Sequence, residues 1–534
     1  MDNSSLAVRE RESTGRLAFL VAAGILLSRI IGLVRLRVFS HYFGLRSDPA
    51  DAFNAAFRIP NFLQNLFGEG VLSASFIPVY ARLLASGDEE EAGKVAGAVG
   101  ATLALAVAVL CFAGVLVTPW LIDLIAPGFS GAKRELTITL VRVLFPGAGL
   151  LVFSAWCLGI LNSHRKLFLS YAAPVMWSAA MIATLVIFGG RSTLPRLAMD
   201  LAWGSVLGSA LQFGIQLPVV LRLARHLRLR LDLDSGHVRT VIRNFVPVFI
   251  SRGVVQISAY IDALLASLLP TGAVTGLINA QLIYMLPVSL FGMSVSAAEL
   301  PVMSSAIGSE EEIKGALRGR IDSGLRHIAF FIVPSAAAFL SFGDLIAGAL
   351  LQTGRFTHTD AQYVWGILAG SSVGLLASTM GRLYSSAYYA LRDTRTPLRF
   401  AVLRVALTTV LGYICSKPLP LWIGIDPRWG VAGLTASAGV AGWVEFTLLR
   451  RGLHRRLGAG HLASGSAVSG FIAKLWFAAA LAVMVGSAGR LLPWAGHPIP
   501  GAIATLGPFG LVYLGIGATF APEARGLVTR LLRH

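Results

Sequence analysis

Charge is scarce in this chain of 534 residues: 13% are Asp, Glu, Lys or Arg, against 55% hydrophobic, and the mean hydropathy is +0.70. A water-soluble globular protein carries about 25% charged residues, so that class is excluded and a polytopic α-helical membrane protein is expected. Acidic residues are the scarcest charge, 27 against 45 Lys and Arg, for a net charge of +18. A nucleic-acid binder gathers its basic residues on one soluble face; here they lie in short loops between apolar runs, which points to membrane topology and away from nucleic acid. Cysteine is nearly absent. Cys111, Cys157 and Cys415 all fall within apolar runs, without metal-ligand spacing or a disulfide framework. There is no nucleotide-binding loop and no metal-ligand cluster, and the 10 His are scattered, so no catalytic residue is assigned. Gly370, Ser372 and Gly374 fit G-x-S-x-G but lie inside an apolar run, where no strand-to-helix elbow can form. Gly366, Gly370 and Gly374 read instead as a small-residue packing face.

What is present is a series of apolar runs, each of about 20 residues or more, the length that crosses a bilayer. They give about fourteen spans, the first near 17–43, the second near 51–81 and the seventh near 244–268. After the mixed-charge start at Arg9, Glu10, Arg11 and Glu12 no small-residue cleavage site follows, so the first run is read as a retained span. With the N-terminus assigned to the cytoplasm, loops on that side carry a roughly threefold excess of Lys and Arg. Both termini are then cytoplasmic. The long basic loop at 222–243 follows the sixth span and divides the chain. The expected organisation is residues 1–225 as one six-span lobe, 226–243 as a basic cytoplasmic linker, 244–452 as a second lobe, and 453–534 as two further spans with a cytoplasmic tail. Two pseudo-symmetric lobes of this kind suit a transporter. The linker serves either as a solvated connector or as a contact for anionic headgroups.

The candidate site residues are charges inside spans, which cost several kcal/mol each unless they face protein or water. In the second span Asp51, Asn54, Arg58, Asn61, Asn65 and Glu69 recur at helical spacing and form one polar stripe. This stripe reads as a cavity lining; the alternative is a set of structural polar pairs such as Asp51 with Arg58. Pro60, Gly68 and Gly70 allow the helix to bend. In the first span Arg29 and Arg35 are six residues apart and do not share a face on a straight helix, although Gly32 between them allows a bend. Several guanidiniums with few carboxylates nearby suit a phosphate-bearing anion. Asp262 stands alone in the seventh span and reads either as an ion-coupling carboxylate or as an Arg-paired structural one.

SRIIGLVR at 28–35 followed by ADAFNAAFRIPNFLQNLFGEGVLSASFIPVY at 50–80 resembles the amino-terminal signature of the MurJ/MviN lipid II flippases, within the multidrug/oligosaccharidyl-lipid/polysaccharide exporter superfamily. APGF at 126–129, GILNSHRK at 159–166, LLQTGRFT at 350–357, YYALRDTRTP at 388–397 and GVAGLTAS at 430–437 continue the resemblance in order over nearly the whole chain. It implies fourteen spans in two lobes, an inward cationic cavity for the diphosphate and sugars of an undecaprenyl-linked peptidoglycan precursor, and a groove for the lipid tail at the last two spans. It places Arg29, Arg35, Asp51, Arg58 and Glu69 on the family's polar positions. Asp262 falls at a coupling-ion position, with sodium or a proton as the ion, and Thr435 as a second member of that site. The pattern also departs from the family: Gln64 and Asn65 stand where many members have a basic pair, Leu282 and Met285 where an Arg and a Glu are frequent, and Leu36 where an acid is frequent. Thr408 and Gly412 stand where amide or acidic side chains would hold a cation.

The function implied is outward movement of lipid II across the bacterial cytoplasmic membrane by alternating access, driven by an ion or the membrane potential, with no enzyme activity and no cofactor, in a monomer surrounded by membrane lipid. The alternatives are an exporter of another polyprenyl-diphosphate-linked saccharide, a cation-coupled drug antiporter of the same superfamily, and a non-transporting scaffold or lipid-modifying enzyme.

Overall fold

The structure is a computed structural model that describes residues 23–520 apart from 25, 233, 305–309, 392, 458–460 and 493–495, with only the backbone described at 60, 69, 250–259, 297, 301, 304, 310, 313–314 and 461–467. The start of the expected first span, at 17–22, and the tail from 521 lie outside the described residues. No strand occurs among the described residues. The helices are α1 (26–43), α2 (Asp48–Phe67), α3 (Glu69–Ser75), α4 (Ile77–Ala85), α5 (Glu89–Ile125), α6 (Gly131–Ser163), α7 (Leu167–Ala172), α8 (Pro174–Phe188), α9 (Leu194–Leu223) and α10 (Gly236–Ser267). They continue as α11 (Ala273–Pro287), a π-helical turn (Val288–Met293), α12 (Ser294–Ser304), α13 (Glu310–Leu351), α14 (His358–Ala390), α15 (Arg395–Ser416), α16 (Pro418–Trp422), α17 (Gly430–Leu457), α18 (His461–Ala488) and α19 (Pro498–Phe520).

Apolar residues point outward as well as inward, as a lipid solvent requires. On α5, Leu105, Val109, Phe112, Leu116 and Trp120 are all exposed and recur at steps of three and four, a lipid-facing stripe. The opposite face buries Val99, Leu103, Val107, Thr118 and Ile122. Eleven helices or helix pairs among the described residues are long and apolar enough to cross a membrane. The three expected spans outside that set coincide with α1, α2 and α10, where the candidate charges lie.

By internal contacts the chain forms two units, one of residues up to Leu264 together with Thr353–Arg355, the other of Leu265–Gln352 and everything from Phe356. In the first unit α6 is central and packs on α2, α5 and α9. The connector after α9 is held against α5: a Cβ at Gly97 would lie 2.0 Å from the Arg228 carbonyl oxygen, so only glycine admits this approach. In the second unit α14 packs on α13 and α17, with Gly374 and Gly439 in backbone contact.

The second span, expected as one helix over 51–81, is instead α2, α3 and α4. Ser47 caps α2 by accepting from the Ala50 N–H, and the helix ends at Gly68, whose extended ψ of −157° stops the helical ladder. A Cβ there would sit 2.1 Å from the Gln64 carbonyl oxygen. The polar stripe therefore runs along a single helix only as far as Phe67, and Glu69 opens a new one.

Candidate functional site

The first unit brings two of the candidate charges together. Helix α10 lies along α2 through aromatic contacts, Phe67 against Phe249 at 5.1 Å between centroids and Phe62 against Tyr260 at 5.4 Å. The Tyr260 hydroxyl donates to the Arg58 carbonyl oxygen and fixes the register of the two helices. That register places the carboxylate of Asp262 within electrostatic reach of the Arg58 guanidinium. The acid and the cation, which the sequence presents as belonging to separate sites, lie within electrostatic reach of each other. A sodium ion or a proton at Asp262 would meet the repulsion of this guanidinium. Among the described residues no three His, Cys, Asp or Glu side chains converge as metal ligands.

Arg35 is held by an aromatic ladder. Its guanidinium lies 4.3 Å from the Trp177 ring centroid and its Nη1 is 3.6 Å from the Met181 sulfur, both on α8. Trp177 in turn stacks on Phe57 at 5.4 Å, and Phe57 on Phe53 at 5.8 Å. The indole Nε1–H donates to the Ser205 hydroxyl at 3.1 Å, which fixes the ring under the cation. Arg29, on α1, is exposed.

Asp51 is only 1% exposed and pairs with Lys133 Nζ at 2.9 Å. Lys133 also reaches Asp48 at 3.2 Å and lies over the Phe129 ring at 4.3 Å. This cluster ties the start of α2 to the start of α6. The side chain of Glu69 lies outside the described residues. Thr435 belongs to the second unit, where its hydroxyl donates to the carbonyl oxygen of Ile367 at 3.0 Å and of Ala432 at 3.1 Å. Two ion pairs of that unit join Arg404 to Glu445 at 3.1 Å and Arg490 to Asp344 at 2.8 Å. Trp177 and Lys133 are the residues that reasoning from sequence missed. Trp177 sits in an apolar run like any lipid-facing tryptophan, and Lys133 between two apolar runs like any interfacial lysine.

The family model described as lipid II flippase MurJ matches residues 39–494. A lipid II flippase MurJ of Burkholderia cenocepacia is 30% identical over 447 residues, 82% of this chain and 84% of that relative. A probable lipid II flippase MurJ of Vibrio cholerae is 29% identical over 519 residues, 94% of each chain. Among solved structures, a lipid II flippase MurJ in an inward closed conformation matches with a TM-score of 0.73 at 22% identity, over 96% of this chain and 100% of that one. An inward-facing multidrug transporter of the MATE family shares the fold at a TM-score of 0.64 and 20% identity, over 80% of this chain and 95% of that one. With a family match spanning most of its length and an all-helical membrane fold, the chain belongs to the MurJ family of lipid II flippases, a family of multi-pass bacterial membrane transporters.

Proposed function

We propose that this chain moves lipid II from the inner to the outer leaflet of the cytoplasmic membrane by alternating access, with Arg58, Arg35 and Arg29 as ligands of the diphosphate. The observation that carries the residue assignment is the contact of α10 with α2 at Tyr260 and Arg58, which brings Asp262 within electrostatic reach of the Arg58 guanidinium. A diphosphate and the Asp262 carboxylate compete for the same guanidinium. Loading draws Arg58 to the substrate; release returns it to Asp262. A pocket of equal affinity in both states would move no population, so protonation of Asp262, or the membrane potential at about 2.3 kcal/mol per charge per 100 mV, supplies the bias. Asp51 and Glu69 flank this site on α2 and α3, with Asp51 serving to hold α2 through Lys133. Thr435 positions α17 on α14. The fourteen-span count, the lobes at 1–225 and 244–452, cytoplasmic termini, an undecaprenyl tail along α18 and α19 and a monomeric state complete the reading.

The test is rescue of cells depleted of their own lipid II flippase. The chain restores growth, and Arg58→Ala abolishes rescue while the protein still reaches the membrane. Asp262→Asn binds polyprenyl diphosphate more tightly than the parent and transports more slowly. Undiminished rescue by Arg58→Ala, or rescue by Asp262→Asn that keeps its response to the proton gradient, overturns these roles.

A further inference from the structure

A second polar region of the first unit is used by none of these assignments. A cavity of about 690 Å³ opens where α2 ends, walled by Gln64 and Asn65 of α2, Gly68 at the break, Ser73 of α3, Ser154 of α6 and Gln212 of α9. Among the described side chains, which do not include that of Glu69, no Asp, Glu, Lys, Arg or His lines it. At its floor the polar groups are buried and linked in series. Gln212 Nε2 donates to Ser154 Oγ at 2.9 Å, and Ser154 Oγ donates to Gln216 Oε1 at 2.8 Å. Ser154 is 2% exposed, Gln212 7% and Gln216 0%, and the Gln216 Nε2 ends the series without a hydrogen-bond partner.

Amides and hydroxyls inside a membrane bundle are unfavourable unless something polar meets them. The chemistry of the lining narrows what that is. An anion would select the arginines of α1 and α2, and a cation would select carboxylates. An isoprenoid chain would select an apolar wall rather than these amides and hydroxyls. What remains is a neutral ligand rich in hydroxyl and amide groups. Asn65 lies seven residues beyond Arg58, two helical turns and about 10 Å along the same face of α2, a separation suited to a sugar attached to a diphosphate.

We propose that this cavity is a saccharide subsite that receives the acetamido sugars of the glycolipid, with Gln64, Asn65, Ser154 and Gln212 as its hydrogen-bonding groups. The proposal rests on the flippase reading and adds selectivity for the head group to it. Gln64 and Asn65 thereby recognise sugar instead of phosphate.

Purified full-length protein in lipid nanodiscs is titrated with a polyprenyl diphosphate and with the same lipid bearing an N-acetylhexosamine disaccharide. The parent binds the glycosylated lipid about tenfold more tightly or better. Asn65→Leu, at the exposed rim where folding is little affected, and Gln212→Leu, at the floor, bring the two affinities together while leaving the sugar-free lipid within about twofold of the parent value. Equal affinities in the parent overturn the subsite, as does an equal weakening of both lipids in the Asn65 variant. If the parent binds neither lipid, the flippase reading falls and the subsite falls with it.

Discussion

Lys133 is the counter-ion of a carboxylate that is almost wholly buried. Removing one partner of a buried ion pair leaves the other charge uncompensated, which costs about 3 kcal/mol. Lys133→Ala is therefore expected to lower the thermal unfolding midpoint in detergent markedly, and Asp51→Asn combined with Lys133→Met to recover part of the loss. The pair spans 82 residues of sequence, and Tyr260 and Arg58 are 202 apart. That distance explains what was legible. A charge within an apolar run announces itself by its cost, so Arg35, Asp51, Arg58 and Asp262 stand out from sequence alone. Their partners carry no such mark. Trp177 and Lys133 are ordinary until α8 and α6 are packed against their neighbours, and Asp262 looks isolated because its counter-charge lies on another helix.

Helix ends carry a different kind of information. Gly68 marks a bend in the sequence, together with Gly70, and the structure shows a full break at that point. Gly68→Ala puts a methyl 2.1 Å from the Gln64 carbonyl oxygen, so the junction of α2 and α3 must move. A loss of about 1–3 kcal/mol in stability is expected, along with a reshaped polar cavity, measured by thermal melts and by translocation of labelled lipid. The π-helical turn at Val288–Met293, by contrast, follows Pro287 without any sequence signal that separates it from an α-helix. At the start of α15, Asp393 accepts from the N–H groups of Arg395 and Thr396 at 3.0 Å and from the Thr396 hydroxyl at 2.7 Å. Arg456 of α17 adds an ion pair at 2.7 Å. These contacts, the Thr396 hydroxyl first, pull the Asp393 carboxyl from its ordinary 3.8 to about 2. Because the folded-state value is the lower one, the stabilisation is fully present above the unfolded value and is lost as pH falls through the folded one. Melting midpoints of the parent and Asp393→Asn should differ by a constant amount above about pH 4 and converge toward pH 2.

For the whole molecule, hydropathy and charge asymmetry carry most of the legible signal. The chain is all helical among its described residues, and its surface is apolar over long stretches of α5, α8 and α15. The excess of Lys and Arg in alternate loops predicts the orientation: a reporter placed in the loop after α9 is active only in the cytoplasm, and one placed between α5 and α6 only outside. Sequence does not reveal that the first unit is discontinuous. Thr353–Arg355 belong to it, with the Arg355 N–H donating to the His41 carbonyl oxygen at 2.9 Å and the His41 and Thr353 side chains paired at 2.9 Å. Gly354, at φ 53°, approaches His41 so closely that a Cβ would lie 2.5 Å from its carbonyl oxygen. This clasp has a consequence for synthesis. At about 5–20 residues per second, the ribosome needs roughly 5 to 20 s to travel from residue 264 to residue 355. During that interval the end of α1 waits in the membrane for its last partner, and any chain released early leaves that end unlatched.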